Sequence, residues 1–299
     1  MKSNNLFFFS ISVLVVLLLG SCAQTESNES LFEDGPELIT TGYQFTEGPY
    51  WHPDGYLIFS DIPANTVYKW TPGSPDTEVY IDSSGNSNGI TAMPDGTLIL
   101  AQHAGKVSMV NENMELVPLA EEYNGMRLNS PNDAVVRSDG LIYFTDPTFG
   151  VSDEDQELDI TGVYRINSDT TLTLLYEEIA LPNGIAFSPD ESYLYVADSE
   201  NGQITRFDLL ENGDVENPTE FANIGAMTDM GGADGMTVDA DGRLYTTGPN
   251  GLIVFDSQGN QLEQIEFDQQ VTNVTFGGAD GNELFITSMD DVYRVRVNK

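Results

Sequence analysis

Short apolar runs recur along this chain and are separated by clusters of Gly, Asn, Asp and Pro. Residues 97–101 and 193–197 are examples, rich in the β-branched and aromatic side chains that suit a pleated, half-buried surface. No segment sustains the 3.6-residue spacing of an amphipathic helix. The pattern therefore predicts an all-β protein. One stretch shows the unit clearly, with expected strands at residues 184–188, 193–197 and 203–208 and a short outer edge at 220–222. Residues 89–93, 97–101, 106–110 and 116–119 repeat it.

The unit is copied along the chain. Six times an Asn, Asp or Glu stands seven residues before the central Asp of an expected hairpin: Glu47/Asp54, Asn88/Asp95, Asn132/Asp139, Asn183/Asp190, Asp234/Asp241 and Asn273/Asp280. Successive hairpin Asp residues are 41, 44, 51, 51 and 39 positions apart. A period of that length containing several short strands is the signature of a β-propeller, here with six blades. The last blade, from Asn273, has room for only three strands before the chain ends. Glu37–Thr41 is expected to supply the fourth, pairing the two ends of the chain and covering a sheet edge.

Antiparallel pairing then assigns the two faces. Each inner strand starts at the repeated oxygen-bearing residue and runs to the hairpin; the second strand returns to the starting face. Asp61, Gln102, Asp146, Asp198, Gly248 and Ser288 end those second strands. The loops beyond them, with His103, Phe149 and the acidic stretch 151–161, are expected around the mouth of a central channel. Arg127, Asn129, Met227 and Met230 reach the same face, and the Asp-Gly hairpins lie on the other.

The first residues do not share the pattern. Lys2, an apolar run over residues 6–19 and then Leu19-Gly20-Ser21-Cys22 read as a signal peptide over residues 1–21, its end resembling a bacterial lipoprotein box. Cys22 is the only cysteine, which excludes an intramolecular disulfide and suits a lipidated residue. Residues 22–35 are expected to be the lipidated Cys22 and a polar tether, and 36–299 the propeller. This predicts an exported protein, lipid-anchored at the bacterial cell envelope, on its periplasmic or surface face. A net charge of -37 repels nucleic acid and anionic headgroups, and its main effect is a strongly solvated surface. A monomer is expected.

Candidate chemistry follows from the ring. A closed propeller points all six repeated side chains at one axis. Asn-Gly and Asp-Gly pairs also make turns, which accounts for any single position but less readily for all six. Converging oxygens without thiolate or imidazole describe a site for one hard divalent cation, with Ca²⁺ expected and Mg²⁺, Mn²⁺ and Zn²⁺ as alternatives. Glu47, Asn132, Asn183 and Asp234 are the candidate ligands, since two carboxylates and two amides match a divalent charge and leave room for water and substrate. Asn88 and Asn273 are candidates for supporting positions or channel lining. His103 is one of only two histidines and a candidate base or hydrogen-bond donor, with a satisfied turn histidine as the alternative. Arg127 is one of eleven basic residues and either binds a substrate oxygen or pairs with an acid.

Several segments carry a resemblance: Glu47-Gly48-Pro49-Tyr50-Trp51, Asn129-Ser130-Pro131-Asn132-Asp133, Phe144-Thr145-Asp146-Pro147, Pro182-Asn183-Gly184-Ile185-Ala186-Phe187-Ser188-Pro189-Asp190 and Ala233-Asp234-Gly235-Met236. In this order they resemble the motifs of the gluconolactonase, regucalcin and luciferin-regenerating-enzyme family. The resemblance implies a six-bladed propeller with one divalent metal in its channel. It maps metal ligands onto Glu47, Asn183 and Asp234, places Asn132 at or beside the metal, and makes Asp234 the proposed base. It also implies a metal-dependent lactonase opening a sugar lactone, with Asn129, Arg127 and His103 orienting substrate hydroxyls. The turn Gln102-His103-Ala104-Gly105 departs from the family by an inserted Ala104. The alternatives are hydrolysis of other lactones or organophosphate esters, and a non-catalytic, lipid-anchored binding propeller.

Overall fold

The computed structural model describes Met1, residues 30–152 and residues 154–298. The expected signal peptide and Cys22 thus lie outside the described residues. Among those described, no helix occurs, and six four-stranded antiparallel sheets form the blades. Their inner strands are Thr46–His52, Ser87–Ala92, Ala134–Val136, Pro182–Phe187, Met236–Val238 and Asn273–Gly277. In five blades the strands follow in chain order from inner to outer. In the sixth, Glu37–Thr41 pairs antiparallel with Asp291–Arg296, so the start of the propeller supplies the outer strand of its last blade, as the sequence predicts.

The sequence pattern is weakest at the outer edges. The expected edge at residues 220–222 is the end of a nine-residue strand, Val215–Asn223, most of which is exposed. Its register shifts against Gln203–Leu209, and its polar composition follows from having solvent on one side. Outside Phe221 and Ala222 this strand buries no side chain, so its remainder carries no alternation to read.

Packing also begins earlier than residue 36. Phe32 is buried and forms a bridge with Val297, Glu33 donates its N–H to the Arg296 carbonyl, and Asn298 donates to that of Leu31. Ser30 Oγ and Leu31 N both donate to the Glu263 carboxylate, at 2.7 and 2.6 Å. Residues 30–33, expected in the tether, therefore belong to the closure. The apolar side chain of Phe32 within the polar segment was the available signal.

Apolar clusters fill the wedges between neighbouring blades, for example Ile58, Val67, Ile90, Leu98 and Leu100 between the first and second. Nearer the axis, hydrogen bonds cross every seam. Ser60 Oγ donates to the Asn88 carbonyl at 2.8 Å, Thr145 Oγ1 to that of Asn183 at 2.7 Å, Ser199 Oγ to that of Ala233 at 2.6 Å and Thr272 Oγ1 to that of Thr46 at 2.8 Å. Gly89 N to Asn132 O and Gly235 N to Thr272 O, both 2.8 Å, complete the circuit. The glycine after the repeated residue allows this approach. A Cβ on Gly48 would meet the Asn88 carbonyl oxygen at 1.9 Å, and one on Gly184 that of Asp234 at 2.1 Å. These Asn-Gly and Glu-Gly pairs are thus set by the neighbouring inner strand rather than by a turn.

Phe32 packs with Tyr245, Leu284 and Val297 in the cluster spanning the last two blades. Phe32→Ala should lower unfolding stability by about 3 kcal/mol, the usual loss for a buried aromatic. A thermal melt unchanged from the wild type would show that this segment does not hold the ring closed.

Candidate functional site

Carboxylates at the ends of three second strands hold the connections that deliver the site residues. Asp61 accepts the N–H groups of Gln44 and Phe45 at 3.0 and 3.1 Å, just before Glu47. Asp146 accepts those of Asn129 and Ser130 at 2.9 and 2.7 Å, before Asn132. Asp198 accepts those of Ala180 and Leu181 at 3.4 and 3.2 Å, before Asn183. In the fifth blade Gly248 stands at the equivalent position, and Thr247 takes over: Asp234 N donates to its Oγ1 at 3.0 Å.

The structure brings Glu47, Asn132, Asn183 and Asp234 together with Asn88 and His103 around one cavity of about 410 Å³. That volume lies within the range of small-ligand sites. Its remaining walls are Gln44, Phe45, Ile62, Pro63, Phe149, Met227 and Gln270. Phe149 and Met227 were expected at the mouth. The others were not, because they sit on entry and exit loops with no repeat to mark them.

The acids are almost fully removed from water. Glu47 is 2 % exposed; its Oε2 accepts Gly48 N at 2.7 Å and Asn273 Nδ2 at 2.9 Å. Burial pushes its carboxyl from 4.5 up to about 8, against the lowering effect of those two hydrogen bonds. Asp234 is raised well above its ordinary range, first by burial and then by the charges of Glu47 and Asp133, while Asn183 hydrogen-bonds and lowers it. Its Oδ1 is buried with no hydrogen-bond partner. Asp133 is a third buried acid, pushed up to about 7 by burial; it accepts Ala134 N at 2.9 Å and Ile185 N at 3.4 Å. No function was read for it from sequence. The signal was present, since Asp133 follows a ring residue where four of the six repeats have Gly.

Two acids facing one cavity, two amides beside them and an orphaned carboxylate oxygen fit a hard cation, because such an ion offsets the repulsion and takes the unused acceptor. Among the described residues, no group of three or more His, Cys, Asp and Glu side chains is arranged for a metal. Half of the candidate donors here are amides.

The three residues expected to contact substrate separate. His103 lines the cavity; its Nε2 lies 3.2 Å from Asn88 Nδ2, and burial lowers its imidazole from 6.5 to about 4, so the ring is neutral near pH 7. Arg127 and Asn129 do not line it. The Arg127 guanidinium donates to the carbonyls of Leu128 and Asn129 at 3.0 and 3.1 Å and packs where a side chain on Gly105 would stand. Arg127 N donates to the Glu157 carboxylate and Asn129 Nδ2 to the Ile160 carbonyl, at 2.9 and 2.8 Å. Both residues thereby tie down the acidic loop beside the mouth.

Known proteins share this architecture. The chain is 34% identical to a gluconolactonase of Zymomonas mobilis over 290 residues, covering 87% of this chain and 80% of the relative. It is 26% identical to the pentonolactonase XacC of Haloferax volcanii, covering 84% of each. A solved structure described as a gluconolactonase, from Xanthomonas campestris, superposes with a TM-score of 0.80 at 30% identity, covering 88% of this chain and 89% of that one. Residues 45–290 match the SMP-30/Gluconolactonase/LRE-like region. A match spanning all six inner strands, with a relative of this identity over most of both chains, places the protein in the SMP-30/gluconolactonase/LRE-like family.

Proposed function

We propose that this propeller is a lactonase, a carboxylic ester hydrolase that opens sugar lactones, working with one divalent metal ion. The observation that carries the proposal is the pair of buried acids, Glu47 and Asp234, meeting Asn132 and Asn183 in one cavity with Asp234 Oδ1 unpartnered. Relatives described as a gluconolactonase and a pentonolactonase support the substrate class.

Glu47, Asn183 and Asp234 would hold the ion, with Asn132 at or beside it; Ca²⁺ is favoured by the all-oxygen donors, and the bound ion supplies positive charge that polarises a lactone carbonyl and acidifies water. The chain's own residues do the rest. Asp234, directly or while coordinated, would take the proton of the attacking water. Gly48 N and Asn273 Nδ2 fix the Glu47 carboxylate in place. Phe45, Ile62, Pro63, Phe149 and Met227 surround the cavity with apolar surface that limits water around the bound ring. Ring opening converts a neutral ester into a hydroxy acid that ionises. No Lys or Arg lines the cavity among the described residues, so the wall itself offers the anionic product no counter-charge.

Turnover of gluconolactone by protein stripped with chelator and reloaded with Ca²⁺, Mg²⁺, Mn²⁺ or Zn²⁺ tests the proposal. Activity should vanish on stripping and return with one ion, and Asp234→Asn should lose at least about 100-fold in kcat while keeping its circular dichroism spectrum. Near-full activity of that variant would exclude Asp234 as the base; no turnover of any lactone with any ion would exclude the enzyme.

The buried acids also set a pH dependence in the metal-free protein. The folded state holds the Glu47 proton more tightly than the unfolded chain, so this group's contribution is greatest below about 4.5 and is lost as pH rises from there to about 8. Across that window the melting temperature of metal-free wild type should fall relative to Glu47→Gln. Parallel curves for the two proteins would refute a raised Glu47.

We also propose that Cys22 carries lipid and anchors the exported protein at the cell envelope, on the strength of the apolar leader and Leu19-Gly20-Ser21-Cys22. Expression with radiolabelled palmitate should label the wild type and not Cys22→Ser; equal labelling of both would dismiss the anchor.

A further inference from the structure

Asn88 and His103 meet at the cavity wall, outside the four residues proposed to hold the ion. Asn88 is 2 % exposed, and its Oδ1 is buried without a hydrogen-bond partner. Its Nδ2 faces His103 Nε2 at 3.2 Å. An amide nitrogen only donates, so with Asn88 in this orientation Nε2 accepts and the neutral ring carries its proton on Nδ1. Among the described residues Nδ1 has no protein hydrogen bond. It lies 3.7 Å from the point where a side chain on Gly150 would begin, beside Phe149 at the mouth. Both residues line the same cavity as Glu47 and Asp234. The pair therefore offers a bound molecule one fixed acceptor and one fixed donor, both uncharged.

We infer that Asn88 and His103 form a hydroxyl-reading pair: Asn88 Oδ1 accepts from one substrate hydroxyl, His103 Nδ1–H donates to another, and lactones bearing hydroxyls are selected over unsubstituted ones. The inference rests on the lactonase reading and narrows its substrate class. Neutrality matters here. A charged group at this wall would bind the anionic product or repel it, whereas an amide and a neutral imidazole match the donor-and-acceptor character of alcohols. A lactone without hydroxyls would displace water from Asn88 Oδ1 and leave that oxygen unpaired. This asymmetry is what lets a polar site reject an analogue lacking the group it reads. Asn88 is backed by its own carbonyl, which accepts Ser60 Oγ at 2.8 Å across the seam. Its side chain is thus presented from the rigid inner ring rather than from a loop.

The test compares D-glucono-δ-lactone with δ-valerolactone as substrates of wild type, Asn88→Leu, His103→Phe and His103→Gln. Binding of the non-hydrolysable D-glucono-δ-lactam and δ-valerolactam is measured by calorimetry on the same proteins. Asn88→Leu and His103→Phe should lose about 10- to 100-fold in kcat/KM for the hydroxylated lactone. For δ-valerolactone they should stay within about threefold of wild type, and His103→Gln, which keeps a donor, should recover part of the loss. The lactams should show the same difference in affinity. Equal losses for both substrates would mean that the pair only supports the structure, and an unchanged preference would mean that it touches no hydroxyl; either result overturns the inference. If Asn88→Leu fails to fold, the two His103 variants decide. Should no lactone be turned over while the hydroxylated lactam still binds in a manner dependent on Asn88 and His103, the lactonase reading falls and the hydroxyl-reading pair stands.

Discussion

Glu47 and Asp234 repel each other inside a cavity that water barely reaches. An acid buried without a counter-charge normally costs several kcal/mol and takes up a proton instead. Both carboxyls show that cost in a raised affinity for a proton, and the backbone around them has little freedom to relax it. Each inner strand is bonded to its neighbour across the seam, and the ring is closed by Glu37–Thr41 and Phe32 at the chain's own beginning. Strain at the axis is therefore opposed by the whole circumference. An open sheet would splay and hydrate the acids; a closed one holds them together.

The same closeness explains the residue pattern that repeats around the ring. An oxygen-bearing side chain followed by Gly looks like a turn when read alone. In the folded chain Gly48 and Gly184 are there because the next inner strand passes where a Cβ would be. Two blades break the rule, the third with Asn132-Asp133 and the sixth with Asn273-Val274. The second blade's own Gly89 leaves room for the former, since a Cβ there would meet Asp133 Oδ1 at 2.4 Å, and so a third acid fits near the axis. Asp133 raises Asp234 and Glu47 through its charge while stitching the third blade to the fourth through Ile185 N.

Period, blade count and the meeting of Glu47, Asn132, Asn183 and Asp234 in one cavity were legible in the sequence because each is a repeated feature, and closure because the last repeat lacks a strand. What was not legible lies on connections unique to one blade. Arg127 drew attention as a rare cation in an acidic chain, yet its donors are consumed by the carbonyls beside it, a fact that depends on how residues 126–130 turn. Asn88 drew little attention as one more ring position, and became distinctive only through a neighbour fifteen residues away. The extent of the edge strand Val215–Asn223 was hidden for a different reason. Before Phe221 and Ala222 it has no buried side chain, so the composition of that part is that of a loop.

Division of labour within the cavity follows from the propeller's geometry. Inner-strand starts are identical in direction and fixed by the seams, so they suit groups whose mutual distances matter, such as the acids and amides of a cation site. Exit loops differ from blade to blade and can change without disturbing the ring. His103, Phe149 and Met227 occupy such loops and meet whatever part of the ligand lies away from the axis. A family built this way can keep one reaction centre while varying what surrounds it. In this chain the variable wall carries apolar surface and one neutral histidine and, among the described residues, no Lys or Arg, so it suits uncharged, hydroxyl-bearing esters.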